Sequence, residues 1–289
     1  MTSELFFIGM SKNCLPNLEK NINYLIDFKN KSKFNVNICI IDSDSIDGTK
    51  TFCKNLLKKK YINEFIEVDD LEEEFSSRIE RLSICRNKAI KYLLDCADSE
   101  FIYVPMDLDL DLFKLITFQE LDELINYFIN NEGVQGIFPY SVPFYYDIFA
   151  LRKNDWVNGN NLLKARTYKD RFKIFTFIFN YFYIFSKQKN IKNFKSDLIK
   201  VDSAFGGMGM YKLKKMELNK VSYGINPNNI NFYSEHLYFN NFFKNLYIYK
   251  KWNIVSPPEY TFFNTYSLKE KLVYILKTLK NDTKNLITK

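Results

Sequence analysis

The chain has 289 residues, of which 46% are hydrophobic and 26% charged, a composition that excludes a disordered or repetitive protein. Its formal charge of +7 is a weak basic excess that suits an anionic substrate or membrane surface and is insufficient to indicate nucleic acid. The five cysteines show no CxxC spacing and predict buried, reduced thiols in a cytoplasmic protein.

The N-terminal stretch and the hydropathy pattern indicate no membrane-spanning segment. The start, MTSELFFIGMSKN, lacks a basic region followed by a long apolar run, so a secretory signal is not expected. Since no window approaches ~18 consecutive apolar residues, a transmembrane helix is not expected either.

The first half of the chain alternates between the periods of strands and helices. Ser77 and Glu80, for example, have capping-box spacing ahead of a helix. This alternation predicts βαβ units and an α/β fold with a mostly parallel sheet, whose ligands bind beyond the carboxyl ends of the strands. Strands are predicted at residues 4–9, 35–42, 61–68 and 101–105.

The second half is less regular. It contains no linker rich in glycine or serine, which favours one domain at residues 1–260 with an aromatic helical insertion at about 162–196. A basic amphipathic helix is expected within 261–289, with Leu272, Ile275 and Leu279 on one side. The remaining predictions are strand and loop at 136–152, one long aromatic helix at 162–189, strand and tight loop at 200–213, and a short helix within 234–246.

Three aspartates follow a predicted strand in FIYVPMDLDLDLF, residues 101–113. Asp107, Asp109 and Asp111 alternate, so they share one face if the strand continues. Adjacent carboxylates are costly without a counter-cation, and Mg²⁺ or Mn²⁺ prefers such oxygen ligands. A metal site and a solvated strand end both remain open. Asp107 and Asp109 are the preferred ligands, because Asp111 comes after the expected end of the strand.

Two further segments have both a structural and a functional interpretation. Gly206, Gly207 and Gly209 cluster in AFGGMGM although the chain has only nine glycines. They indicate either a bulged turn or a loop whose backbone approaches a sugar or pyrophosphate. Asp147 and Arg152 lie at the ends of a predicted aromatic strand, where they form a buried pair or where Asp147 touches donor or acceptor hydroxyls.

Several of these segments together resemble a known family. DSDSIDGT at residues 42–49 by itself is good turn chemistry, but it also resembles the turn after the second strand of family 2-like glycosyltransferases of the GT-A fold. RLSICRNKAIKYL resembles the helix that carries their donor-facing arginines, and the aspartates fall where their DxD motif lies. YYDIFALR, VDSAFGGMGMY and SEHLYFNNFF narrow the resemblance to the capsule-associated α-mannosyltransferase group and its bacterial relatives, over roughly residues 4–245.

The resemblance implies a Rossmann-like GT-A fold and a set of site residues. Asp107 and Asp109 would bind the divalent cation, Mn²⁺ or Mg²⁺. Asp147 and Arg152 would lie at the acceptor or pocket side. The implied donor-binding residues are Asp42, Asp44, Arg81, Arg86, Asp107, Gly206 and Gly207.

The SEH segment departs from the family pattern. Inverting members usually have Glu-Asp there, with the aspartate as general base, whereas this chain has Glu235 and His236, its only histidine. His236 either acts as a base or packs at the start of a helix. Glu235 is the stronger candidate for a role at the reacting sugar or acceptor hydroxyl. The substitution favours retention over simple inversion.

The sequence therefore predicts a metal-dependent glycosyltransferase that moves a sugar from a UDP- or GDP-linked donor to a glycan or lipid-linked acceptor in surface polysaccharide synthesis, of capsule or lipopolysaccharide. One alternative is a sugar nucleotidyltransferase, but GMSKNCLPN makes a poor phosphate loop. Another is a non-catalytic, membrane-associated module of the same fold, which predicts eroded site residues, whereas all are still present.

The aromatic segment at residues 171–195 has basic flanks and is too short to span a bilayer. Two interpretations remain open for it. The segment either lies at the membrane interface on the cytoplasmic face, or packs as a helix over the core.

Overall fold

The computed structural model describes residues 4–172, 175–224 and 234–287. The strands are Glu4–Ser11 (β1), Asn35–Ser43 (β2), Glu64–Val68 (β3), Glu100–Asp107 (β4), Gly136–Val142 (β5), Leu198–Val201 (β6), Met210–Lys214 (β7) and Leu246–Val255 (β8). The helices are Leu15–Lys31 (α1), Thr49–Lys58 (α2), Leu71–Glu74 (α3), Arg78–Cys96 (α4), Phe118–Asn130 (α5), Asn161–Phe172 (α6), Thr176–Tyr183 (α7), Glu235–Asn240 (α8), Pro258–Thr265 (α9) and Leu268–Ile287 (α10).

The described strands form one eight-stranded sheet in the order β3-β2-β1-β4-β7-β5-β8-β6. The β3-β2-β1-β4 half is parallel, as is the β5-β8 pair. β7 is antiparallel to both β4 and β5, and β6 is antiparallel to β8. The predicted α/β class, with a mixed and mostly parallel sheet, is confirmed.

Both faces of the sheet are covered by helices. Leu5 and Phe7 of β1 pack in one hydrophobic cluster with α1 and α5, whereas Phe6 and Ile8 pack in a second cluster with α4. This division follows from the strand geometry, because successive side chains point to opposite faces. Burial on both faces explains why β1 is almost entirely apolar. Four of the five free cysteines are buried as predicted, and Cys96 is exposed.

The prediction of one long aromatic helix at residues 162–189 is wrong. α6 ends at Phe172 and α7 runs only from Thr176 to Tyr183, with residues 173–174 outside the described part of the chain. Phe175 has φ of 62°, a left-handed conformation that a continuous helix does not allow. Tyr168 of α6 stacks on Phe179 of α7 at 5.4 Å, so the two helices pack against each other.

α10 is the amphipathic helix expected from the sequence, and its leucine side is exposed. Leu272 is 61% exposed and Leu279 is 36% exposed. The contacts with the body are instead made by Tyr274, which packs on Phe263, and by the buried Asp282, whose Oδ1 accepts a 2.7 Å hydrogen bond from the Thr176 hydroxyl. The leucine side of α10 therefore points away from the core.

Two asparagines of α1 hold the loop that follows β4. The buried side chain of Asn21 donates to the carbonyl of Leu110 at 2.7 Å and accepts from the amide of Leu112 at 3.1 Å. Asn17, one turn earlier, donates to the carbonyl of Asp109. The loop carrying the predicted metal ligand is thus fixed to α1 through its backbone.

We predict that Asn21→Ala destabilises the fold by about 1–3 kcal/mol, because a buried carbonyl and a buried amide lose their partner. Urea unfolding followed by circular dichroism measures the change. Asn23→Ala is the matched control, since Asn23 is an exposed residue of the same helix. Equal losses for the two variants would contradict the proposed role of Asn21.

Candidate active site

The candidate site lies where the order of the strands reverses. The chain leaves β1 for β2 on one side and returns as β4 on the other. Ser11 is in register with Asp42, and Met10 with Asp107. The carboxyl ends of β1, β2 and β4 therefore meet at one edge, where parallel α/β sheets form their ligand crevice.

The glycine loop lies directly against the end of β4. The amide of Asp107 donates to the carbonyl of Gly207 at 2.7 Å, and the amide of Gly209 donates to Pro105 at 3.2 Å. Gly206 and Gly207 have φ of 72° and 91°, and a Cβ on Gly207 would lie 2.4 Å from Cδ1 of Leu110. Gly206 and Gly207 therefore have the positive φ expected of this segment, and the backbone of the loop packs against the end of β4.

Arg86 of α4 joins the two halves of the site. Its side chain is 1% exposed, with Nη2 donating to Oδ1 of Asp107 at 2.6 Å and Nε donating to Oε1 of Glu235 at 2.9 Å. Burial opposes its charge, but the two carboxylates outweigh burial and raise its pKa, so Arg86 is cationic. Arg86 does not reach the surface of the cleft. Of its two partners, the Asp107 side chain is 33% exposed and the Glu235 side chain only 4%.

His236 follows Glu235 at the start of α8, and Ser234 caps the helix by accepting from the amide of His236 at 3.3 Å. The imidazole is 3% exposed and stacks on Phe205 with ring centroids 3.5 Å apart. Burial, and then the charge of Arg86, lower its pKa well below the ordinary value. This arrangement favours packing over a role as general base, because a base must reach the proton of the acceptor.

Asp109 stands beside Asp107 in the cleft. Its side chain reaches solvent, yet the surrounding cleft limits its hydration and, together with the charge of Asp107, raises its pKa to about 6. Two neighbouring carboxylates supply the oxygen ligands that a hard divalent cation prefers. They do not complete a coordination sphere, and the described residues contain no cluster of three metal-binding side chains. Asp111 lies 3.9 Å from Lys20, on the side of α1.

The predicted nucleotide-side residues separate into buried and accessible ones. Asp42 is 0% exposed and accepts hydrogen bonds from the hydroxyls of Ser11 and Ser45 at 2.9 and 2.6 Å. Its carboxylate therefore holds the turn rather than facing the cleft. Asp44 is half-buried with φ of 57° and accepts from Ser43 at 3.0 Å. Asp44 is thus the accessible aspartate of this pair.

Arg81 and Arg152 donate hydrogen bonds to backbone carbonyls close to them in the sequence. Arg81 donates to the carbonyls of Phe75 and Ser76, in the turn before α4, and lies 3.7 Å from Glu72. Arg152 donates to the carbonyls of Phe149 and Leu151. Both side chains therefore stabilise backbone turns in this structure.

Asp147 is hydrogen-bonded to the glycine loop. Its carboxylate accepts from the amide of Gly206 at 2.8 Å and from the amide of Ala150 at 3.1 Å. Burial raises its pKa, and Asp107 and Glu235 add to the shift. The strand predicted between Asp147 and Arg152 is wrong: the segment is a turn, closed by the bond to Ala150. The hydrogen bond to Gly206 thus holds Asp147 near the carboxylates of Asp107 and Glu235.

Three further residues near the site are not marked by the sequence patterns: Arg78, Tyr146 and Tyr260. Arg78 is the first residue of α4; it is exposed, and its charge partly offsets the rise that burial and Asp107 cause in the pKa of Asp109. Tyr146 stacks on Tyr260 of α9, with ring centroids 5.6 Å apart. The available signal in the sequence was that Arg78 lies three residues before Arg81, directly after the Ser77 cap. No motif marked the tyrosines.

Comparison with known proteins gives one family match. The family model described as Cryptococcal mannosyltransferase 1 matches residues 7–241, which include Asp107, Arg86 and Glu235. No curated protein matches the chain.

Several solved structures are similar in fold at low identity. They include the mannosyltransferase PcManGT from Pyrobaculum calidifontis in complex with GDP-Man and Mn²⁺ (13% identity, 78% of this chain and 48% of that chain, TM-score 0.42). They also include S. aureus TarS 1-349 (13%, 90% and 62%, TM-score 0.43) and mannosyl-3-phosphoglycerate synthase from Rubrobacter xylanophilus (9%, 99% and 74%, TM-score 0.41). The chain spans about half the length of the first and three fifths of the second.

We predict that Arg86→Met destabilises the protein by about 3–5 kcal/mol, since it leaves the carboxylates of Asp107 and Glu235 without their shared cation. Urea unfolding at neutral pH measures the loss. Arg81→Met is the matched control and should cost clearly less, because Arg81 lies on the same helix but bonds to carbonyls of the turn before it. Similar losses for both variants would show that the bridge has no special importance.

Proposed function

The chain belongs to the Cryptococcal mannosyltransferase 1 family, which residues 7–241 match, and from this premise we propose that it is a GT-A glycosyltransferase that uses a divalent cation. The donor is a UDP- or GDP-linked sugar, and the acceptor is a glycan or lipid-linked glycan of surface polysaccharide synthesis. The observation that carries the proposal is the Asp107–Arg86–Glu235 bridge beside Asp109, at the strand switch point and inside the matched region.

Asp107 and Asp109 are the residues that would hold the cation, Mn²⁺ or Mg²⁺. When bound, such a cation neutralises charge on the donor diphosphate. Arg86 orients Asp107 and Glu235 by hydrogen bonds at 2.6 and 2.9 Å. Arg78 lies exposed near Asp109 and supplies positive charge for the leaving diphosphate.

In this proposal, the glycine loop and the start of α8 form the sugar-binding side of the cleft. The backbone of the loop at Gly207 contacts the end of β4. Leu110 leaves no space for a side chain at Gly207. Glu235, held by Arg86, is the acidic group at the acceptor side. The buried, neutral His236 supports retention of anomeric configuration over simple inversion, because no accessible base stands at that position.

The two rival functions make different predictions. A nucleotidyltransferase needs a phosphate-binding loop after β1, but here the chain passes from Ser11 into the proline-containing first turn of α1 within four residues. A non-catalytic module predicts that nucleotide sugars are bound and never turned over. Hydrolysis or transfer measurements separate these alternatives.

The direct test is hydrolysis of a panel of UDP- and GDP-sugars with Mn²⁺, Mg²⁺ or EDTA. We expect cation-dependent turnover of at least one donor. Asp109→Asn should lower it about 100-fold or more, since the cation supplies several kcal/mol of stabilisation in such reactions. Asp111→Asn is the matched control, because Asp111 is a carboxylate two residues further that faces Lys20.

The absence of cation-dependent turnover with every donor would overturn the proposed function. Normal turnover by Asp109→Asn would overturn only the metal assignment. Arg78→Gln should weaken nucleoside diphosphate binding several-fold without abolishing cation binding, because it removes one charge from the cleft.

We further propose that the protein contacts the inner face of a membrane through α10. Leu268, Leu272 and Leu276 are 82%, 61% and 65% exposed on one side of this helix, and exposed lysines at 269, 277 and 280 accompany them. An apolar helix face with a basic rim suits the interface of an anionic bilayer. Within the described ranges, no helix is long and apolar enough to span a bilayer.

Flotation with phosphatidylcholine vesicles, with and without anionic phosphatidylglycerol, tests this contact. The wild type should bind the anionic vesicles, and the double variant Leu272→Ser, Leu276→Ser should lose most of that binding. Met216→Ser is the control, since Met216 is 79% exposed outside α10. Equal binding by wild type and double variant would refute membrane contact by α10.

A further inference from the structure

The segment after β8 returns to the candidate site at a fixed position. β8 runs parallel to β5, with Val255 in register with Val142. The amide of Ser256 donates to the carbonyl of Val142 at 2.8 Å, and its hydroxyl donates to the carbonyl of Phe144 at 2.6 Å. α9 therefore begins at the same edge of the sheet as the site residues. This segment lies beyond the family-matched residues 7–241.

The backbone of α9 is held firmly at Tyr260. Its carbonyl accepts a hydrogen bond from the buried amide side chain of Gln188 at 2.7 Å. Asn264, one turn later, donates to the side-chain oxygen of Gln188 at 2.8 Å. Although its backbone is anchored in this way, Tyr260 is 53% exposed. The ring is thus exposed although the helix that carries it is anchored by hydrogen bonds.

Tyr260 continues the wall of the cleft through Tyr146. The two rings are stacked, with centroids 5.6 Å apart and planes 12° apart. Tyr146 lies next to Gly207, since a Cβ added at this glycine would be 3.2 Å from the Tyr146 hydroxyl. Gly207 is the residue whose carbonyl accepts from the amide of Asp107. Burial and the charge of Asp109 both raise the pKa of Tyr260, which agrees with this position beside the carboxylates.

We propose that Tyr260, backed by Tyr146, is a stacking surface that binds a pyranose ring in the cleft. An aromatic face contacts the C–H side of a sugar, while nearby carboxylates accept its hydroxyls. A tyrosine that only filled the core would be buried, whereas half of this ring faces solvent. The inference rests on the proposed function, and the ring belongs either to the donor sugar or to the acceptor sugar.

Saturation-transfer NMR with the full-length protein tests the stacking. The probes are GDP-mannose and UDP-glucose, GDP and UDP without a sugar, and methyl α-D-mannopyranoside as an acceptor-like ring. Tyr260→Ala should weaken binding of a sugar-containing probe about three- to tenfold, the range for one aromatic contact. Tyr260→Phe keeps the ring and should bind like the wild type. Tyr61→Ala is the control, because Tyr61 is a 47% exposed tyrosine elsewhere.

The probes distinguish the two sources of the ring. Weaker binding of a nucleotide sugar with unchanged binding of the free diphosphate assigns the surface to the donor. Weaker binding of the methyl mannoside alone assigns it to the acceptor. Unchanged binding of all probes by Tyr260→Ala, equal loss in Tyr260→Phe, or no sugar signal with the wild type would overturn the proposal.

Failure of this inference is distinct from failure of the proposed function. Cation-dependent donor turnover that Tyr260→Ala leaves unaltered in KM for donor and acceptor would remove the stacking surface and keep the glycosyltransferase. Conversely, Tyr260-dependent binding of methyl mannoside without turnover of any donor would keep the sugar site and remove the proposed reaction.

Discussion

A buried guanidinium shared by two carboxylates is the interaction on which the site depends. Arg86 lies on a helix from the first half of the chain, Asp107 ends a central strand, and Glu235 begins a short helix of the second half. A charge in the interior is tolerated only when it is paired and hydrogen-bonded. Through these two hydrogen bonds, the bridge fixes the end of β4 relative to the start of α8.

Around this bridge, backbone contacts position the groups that must stay accessible. The glycine loop holds the amide of Asp107, and two asparagines of α1 hold the carbonyls of the next loop. Asp109 is therefore kept near Asp107, where its limited hydration and then the charge of Asp107 raise its pKa to about 6. The cation proposed for this pair would remove the repulsion between the two carboxylates.

The C-terminal helices extend the same structure in two directions. α9 carries Tyr260 to the edge of the sheet where the carboxylates lie, and α10 packs on α7 through Tyr274 and Asp282. That packing leaves the leucines of α10 exposed. One short segment outside the family-matched region thus contributes both to the proposed sugar surface and to the proposed membrane contact.

The sequence by itself determined the α/β class, the alternation of strands and helices in the first half and the motifs that converge on one sheet edge, because periodicity and turn chemistry are local properties. It also ranked Asp107 and Asp109 above Asp111. Only the tertiary structure decided that Asp42 is buried in its turn, that Arg86 bridges rather than faces the cleft, and that Tyr260 reaches it. Periodicity on α10 identified an apolar side but did not show that this side stays exposed. These outcomes depend on contacts between residues far apart in the chain, such as Arg86 with Glu235 or Tyr146 with Tyr260, which a local pattern does not encode.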